Sequence, residues 1–420
     1  MMARMLTAAD VEAAAKAGRT LAIGPGDRLT PLARDRAKEL GVALAEGPPA
    51  PAAARAPRAP SAAPASADVA AASPAASGTP LALPPSGALY RRNALGPAAA
   101  CACARDPRPK AGVVGAGHVG AMAALRLAES DLFSEVVMVD VVPGLAEGLA
   151  LDMWHGAGLY GFSTRLAGSS DLSALAGAEY VVITAGKPRQ PGMSRTDLTV
   201  ENAGIMRTVA AAIRQHAPNA ALVVVSNPLE EMTHLAAQVT GFPEERVLGM
   251  AGVLDSARFC ALVGLAAKIR PQQVRALALG SHGPEMVIPL SQATADGQPI
   301  DRLLDAATLA AIVERTRDSG AEVVKLLQKG SAYFSPAESA AAMVRAMVRE
   351  SSEVMAVCVR SRGAYGTADT RVGLPVQLGR RGLREIVTLP LRPDEAKALQ
   401  EAAARIAARI AELAAAGKSV

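Results

Sequence analysis

"AGVVGAGHVGAMAALRLAES", residues 111–130, passes from a short apolar β-type run through a glycine turn into a helical pattern. In the turn "GAGHVG", Gly115 permits a tight reversal, Gly117 lets backbone approach a pyrophosphate, and Gly120 allows close helix packing, while the N-terminus of the next helix faces the anion. Ala116, His118 and Val119 fill the remaining positions, and His118 reads as a solvent-facing loop side chain. The hexapeptide gains weight from "EVVMVD", which ends at Asp140, 20 residues after Gly120. A carboxylate at the end of a second strand accepts hydrogen bonds from the adenosine ribose hydroxyls. It also repels a 2′-phosphate, so the expected cofactor is NAD rather than NADP.

Outward from this unit, "EYVVITAG" (179–186) and "AALVVVSNP" (220–228) repeat the β-type pattern between amphipathic stretches. Strands alternating with helices imply βαβ units and a mostly parallel sheet, here a Rossmann-type domain over residues 110–253. Beyond about Ala251, longer helical stretches take over, "LDSARFCALVGLAAK", "DAATLAAIVERTRDSGAEVVKLLQ" and "PAESAAAMVRAMVRE", with strand candidates "VRALALG" and "EIVTLPL". We read residues 254–420 as an α+β substrate or catalytic domain.

The first 109 residues differ in kind. In "LTAADVEAAAKAG", Thr7 precedes a helical turn, Asp10 sits three positions on as a capping-box acid, and Gly18 is a stop. A short strand, a Pro/Gly turn and a second helix ending at Gly41 complete a small module over residues 1–46. Residues 47–109 are dominated by Pro, Ala, Ser and Gly and bury too little apolar surface to offset their ordering entropy, which predicts a flexible linker.

Charge is divided unevenly. Residues 1–110 hold 14 basic and 8 acidic residues, the remainder 30 and 31. The positive excess thus belongs to a leader almost free of aromatic residues, which argues against a nucleic-acid-binding body. Four cysteines (Cys101, Cys103, Cys260, Cys358) without paired C-x-x-C spacing point to reduced thiols in a cytoplasmic protein. No apolar run approaches a membrane span, and Asp10 and Glu12 interrupt any export signal.

The chemistry-bearing residues lie further along. "ALALGSHGPEM" (276–286) exposes His282 in a Gly-flanked turn after an apolar run, and "GVLDSARF" (252–259) sets Asp255 and Arg258 three apart on one side of a helix. An imidazole that exchanges a proton with a hydroxyl needs a carboxylate to fix its tautomer and stabilise the imidazolium. Asp255 can supply it. His155, His216 and His234 have no ligand-spaced partners, so no metal site is expected. Finally, "GKPRQPGMSR" (186–195) carries Arg189 and Arg195 in a Gly/Pro-punctuated loop with no acid between them.

Taken in order, "GAGHVG", "KPRQPGMSR", "VVSNPLE", "AGVLDSARF" and "GSHGPEM" resemble malate dehydrogenases of the lactate-dehydrogenase-like type, from about Lys110 nearly to the C-terminus. The resemblance implies that His282 exchanges the proton with Asp255 as its partner. It further implies that Arg258 clamps the substrate C1 carboxylate and that Arg195 polarises the C2 carbonyl. Asn227 would bind substrate beside the nicotinamide, with Val225 and Asn202 on the cofactor side. Arg189 occupies the specificity position, where a cation selects a second carboxylate; the loop arginines lack partners in the loop because the substrate provides them. The implied reaction is NAD-dependent oxidation of (S)-malate to oxaloacetate, with lactate or another 2-hydroxy acid as the alternative substrate. A homodimer or homotetramer is implied as well. Three positions depart from the family pattern: Pro284 replaces an acid, Gln190 a frequent lysine, and Ser226 a frequent asparagine. The leader resembles modules tethered to proteins of bacterial microcompartments, which implies a targeting or interaction role for residues 1–46.

Overall fold

The computed structural model describes residues 5–18, 20–23, 27–29, 31–46, 106–187, 195–283, 285–328 and 330–416. Two units are distinguished, divided near residue 83. In the small N-terminal unit, helices Ala8–Lys16 and Pro31–Glu39 accompany parallel strand pairs, Met5–Leu6 with Arg28–Leu29 and Leu21–Ile23 with Leu44–Glu46. The Asp10 carboxylate accepts the Thr7 backbone N–H at 2.7 Å, and Gly18 and Gly41 adopt left-handed φ values of 61° and 63° after the two helices. Val11, Ala33 and Ala37 form its buried centre.

The larger unit opens at Asp106, and most of the expected linker lies outside the described residues. Residues 106–109 already bond to the body: the Arg108 guanidinium meets the Asp106 and Asp131 carboxylates, and the Ser134 N–H donates to the Pro109 carbonyl. The first half comprises β1 (Lys110–Val114), α1 (His118–Glu129), β2 (Glu135–Val139), α2 (Leu145–His155), α3 (Ala157–Tyr160), β3 (Arg165–Ser169), β4 (Ala178–Ile183), α4 (Arg195–His216), β5 (Ala221–Val224), α5 (Leu229–Thr240) and β6 (Val247–Gly249). These six strands are parallel in the order 3-2-1-4-5-6, the doubly wound arrangement. Runs such as "EVVMV" and "ALVV" are buried on both faces, as central parallel strands between two helical layers must be.

The second half adds α6 (Gly252–Ala267), β7 (Val274–Arg275), β8 (Leu279–Gly280), β9 (Met286–Val287), β10 (Thr294–Ala295), β11 (Gln298–Pro299), α7 (Ala306–Leu327), α8 (Phe334–Arg349), β12 (Val354–Arg360), β13 (Arg371–Gly379), β14 (Gly382–Ile386) and α9 (Pro393–Ala416). It does not build a separate main sheet. Strand β12 pairs antiparallel to β6 at Gly249↔Cys358, and the sheet continues through β13, β8 and β9, with β14 also on β13.

Two expected strands are cut short. "VRALALG" divides between two sheets, because the Ala278 N–H leaves the ladder to donate to Ser256 Oγ at 2.9 Å. In "EIVTLPL" only Glu385 and Ile386 pair as strand residues; the Val387 N–H still reaches the Pro375 carbonyl of β13 at 2.8 Å, but the Leu389 N–H turns to the Tyr365 hydroxyl at 2.7 Å. Cys260 and Cys358 are free thiols. Among the described residues no helix is long and apolar enough to cross a membrane.

Candidate active site

Every strand of the parallel set delivers its C-terminal end to the same edge, which is where ligands of doubly wound sheets bind. At the end of β1, Gly115 has φ +98°, and a Cβ there would lie 2.8 Å from the Ala185 backbone nitrogen. A Cβ on Gly120 would overlap the Gly115 carbonyl, so α1 can start this close to β1 only with glycine at that position. Gly117, the N-cap of α1, faces open space, as does a turn meant to admit a bulky anion. Ala116 is buried, Val119 half-buried, and His118 exposed. The His118 ring is not simply solvent-facing; it stacks on Tyr333 with centroids 5.1 Å apart. Asp140, just past β2, accepts the Ala116 N–H at 2.6 Å and the Val142 N–H at 3.0 Å, which fixes its carboxylate beside the turn. The bare Gly117 backbone, the helix N-terminus and the acid together fit a dinucleotide.

Across the edge, β5 is followed by Val225, Ser226 and Asn227 and then by a cis Asn227–Pro228 peptide. Val225 is half-buried and its N–H donates to the Ile183 carbonyl at 2.8 Å. Asn227 is exposed. The buried Ser226 hydroxyl donates to the Ala185 carbonyl at 2.6 Å, tying the ends of β4 and β5. Asn202, 2% exposed on α4, spends its whole amide on backbone. Its Oδ1 accepts the Lys187 N–H at 2.8 Å, while Nδ2 donates to the Lys187 and Asn227 carbonyls at 3.2 and 2.7 Å. This side chain therefore staples the root of the arginine loop to the end of β5. Arg189, Gln190 and Pro284 lie outside the described residues; Arg195 is the first residue of α4.

The structure brings His282, Asp255 and Arg258 together. Asp255, 1% exposed on α6, faces His282 Nδ1 at 2.8 Å through Oδ2 and Arg258 Nη1 at 3.1 Å through Oδ1. A Cβ at Gly320 of α7 would lie 3.9 Å from the Arg258 guanidinium, an ordinary contact distance that places α7 beside this arginine. Burial pushes the His282 ring toward its neutral form, but the Asp255 charge and hydrogen bond, with the Glu230 charge, outweigh it and raise its pKa above the ordinary histidine value. With Nδ1 engaged, Nε2 is the ring atom left for a substrate.

Glu230, the last residue of "VVSNPLE", to which the sequence reading gave no role, accepts the His282 backbone N–H at 2.7 Å while only 3% exposed, and burial raises its pKa. The available signal was weak: two consecutive glutamates open a helix of mixed composition, and nothing in the residue pattern shows that both are buried.

Comparison with known proteins agrees with this geometry. Residues 109–249 match the lactate/malate dehydrogenase NAD binding domain, and residues 252–416 match the lactate/malate dehydrogenase alpha/beta C-terminal domain. The chain belongs to the lactate/malate dehydrogenase family. The malate dehydrogenase of Chlorobium luteolum is 43% identical over 69% of this chain and 94% of its own length, and that of Synechocystis sp. is 44% identical over 68% and 88%. Among solved structures, malate dehydrogenase from Salinibacter ruber aligns with a TM-score of 0.71 at 35% identity, covering 74% of this chain and 99% of that one. The Cryptosporidium parvum lactate dehydrogenase complexed with lactic acid and nicotinamide adenine dinucleotide aligns at 0.70 and 32% identity, covering 73% and 98%. In keeping with the family, the cofactor of the β1–α1 turn is NAD.

Proposed function

We propose that the chain is an NAD-dependent malate dehydrogenase that interconverts (S)-malate and oxaloacetate. The observation that carries the chemistry is the buried Asp255 carboxylate held between His282 and Arg258, one oxygen to each. NAD, when bound, takes up hydride at nicotinamide C4, and as NADH returns it.

The protein's own residues do the rest. Gly115, Ala116, Gly117, His118, Val119 and Gly120 receive the pyrophosphate, and Asp140 the ribose hydroxyls. His282 Nε2 takes the proton of the C2 hydroxyl during oxidation and gives it back during reduction, while Asp255 holds the ring's orientation and balances the imidazolium. Arg258 grips the C1 carboxylate through the planar fork that suits a carboxylate, and Asn227 hydrogen-bonds substrate beside the nicotinamide. Arg195 stabilises charge developing on the C2 oxygen.

Substrate choice rests on Arg189, whose cation would meet the second carboxylate of a four-carbon diacid. The named relatives that are malate dehydrogenases support this reading. NADH consumption with oxaloacetate should exceed that with pyruvate by orders of magnitude, and Arg189→Gln should shift the ratio toward pyruvate by about 10²-fold or more, the cost of leaving a desolvated carboxylate unpaired. Faster pyruvate reduction by the unaltered enzyme would instead support the lactate reading.

We further infer a homodimer or homotetramer, because Leu151, Trp154, Leu159 and Tyr160 expose apolar surface along α2 and α3. For residues 1–46 we infer a module that attaches the enzyme to a protein assembly of the bacterial microcompartment type, which supports placement in the cytoplasm. Deleting residues 1–100 should leave turnover unchanged and abolish co-purification with shell proteins; undiminished co-purification would refute the attachment role.

A further inference from the structure

Helix α9 reaches the histidine turn from the far end of the sequence. Its Arg409 donates through Nε to Glu231 Oε1 at 2.9 Å, and its Nη1 lies 3.5 Å from Glu285 Oε1. The other Glu285 oxygen accepts the Ser281 hydroxyl at 2.9 Å. Glu231 is 3% exposed, and its Oε2 has no hydrogen-bond partner, so Arg409 supplies the compensation for a buried carboxylate. Glu231 adjoins Glu230, which holds the His282 N–H. Packing reinforces the attachment: Gly280 adopts φ +81°, and a Cβ there would stand 3.4 Å from Ala402 of α9. Within one short turn His282 is thus held by Glu230, and Glu285, to which Ser281 bonds, by an Arg409 that Glu231 anchors.

We infer that Arg409 is a positioning residue for His282, fixing the turn by bridging Glu231 and Glu285. This rests on His282 being the proton-exchanging group. A displacement of the turn by about 1 Å lengthens the proton-transfer distance and lowers turnover, with little effect on substrate grip by arginines elsewhere. The same guanidinium neutralises carboxylates packed around the turn that carries the imidazole. The charged groups arrayed around it are Asp255 and Arg258 from α6, Glu230 and Glu231 from α5, Glu285 on the turn itself, and Arg405 and Arg409 from α9. Removing a cation from this set holds the proton on His282 to higher pH; removing an anion does the reverse.

The test uses the full chain and compares Arg409→Met, Arg409→Lys, Glu285→Gln and His282→Asn in steady-state kinetics between pH 5 and 10. Arg409→Met should lower kcat by about 10- to 100-fold while changing KM for oxaloacetate by less than about threefold. Its pH midpoint for kcat/KM should move upward, that of Glu285→Gln downward, and Arg409→Lys should recover most of kcat. Thermal midpoints that fall with kcat and both pH midpoints unmoved would reduce Arg409 to a structural ion pair and overturn the inference. Should Arg409→Met fail to fold, an unmoved midpoint in Glu285→Gln overturns it equally. His282→Asn separates the two claims: substantial activity there sinks the assignment of His282, whereas an inactive His282→Asn beside unshifted Arg409 and Glu285 variants sinks the positioning role alone.

Discussion

At the residue scale, the site depends on how single carboxylates and amides are shared. Because Asp255 and Glu230 raise the pKa of His282 against the opposing effect of burial, the imidazolium persists above pH 6.5, the ordinary midpoint for histidine. Reduction of oxaloacetate needs the protonated ring and oxidation of malate the neutral one. The rate of reduction at low substrate should therefore fall, and that of oxidation rise, through one shared midpoint lying above that value. Profiles of kcat/KM in both directions measure it, and a midpoint below pH 6 would contradict the charge balance. Asn202 bears a different load. Replacing it with alanine leaves the Lys187 N–H and two carbonyls without their partner, a cost of about 1–3 kcal/mol, and loosens the base of the arginine loop. Asn202→Ala should raise KM for oxaloacetate by roughly tenfold. His282, Asp255 and Arg258 were legible in the sequence because a Gly-flanked turn and an i,i+3 helix spacing are local signals. Glu231 and Arg409 were not, since their partnership spans 178 residues and forms only after folding.

At the element scale, the β1–α1 turn shows what a local pattern can and cannot convey. Its glycines carry steric reasons that the structure makes concrete, above all the overlap a Cβ at Gly120 would have with the Gly115 carbonyl and its 2.7 Å approach to Thr184 Oγ1. Gly120→Ala should push α1 off the sheet and weaken NADH binding by at least about tenfold in fluorescence titration, roughly 1.4 kcal/mol or more. Strands β1, β2, β4 and β5 announce themselves as apolar runs because both of their faces are covered. The edge strand β3, "RLAGS", hides because one neighbour and partial exposure ask little of its composition. Likewise β6 has only three residues, too few for any period to emerge.

At the scale of the whole molecule, the matched NAD-binding and C-terminal segments share one sheet. Arg371, buried in β13, cements the junction: it donates to the Val247 carbonyl of β6 at 2.5 Å and pairs with Glu244. Truncating it leaves the buried Val247 carbonyl without this donor, while the part-exposed Glu244 keeps Arg360 as its partner. Arg371→Met should destabilise the protein by about 1–3 kcal/mol, read as a lowered midpoint in chemical denaturation. The β6–β12 seam also bears on how the chain melts and how it can be divided. A fragment ending after Gly249 would leave β6 as a bare edge with its outward amides and carbonyls unclaimed, an invitation to intermolecular pairing. Such a fragment should precipitate when expressed alone, and the intact body should show one calorimetric peak in place of two.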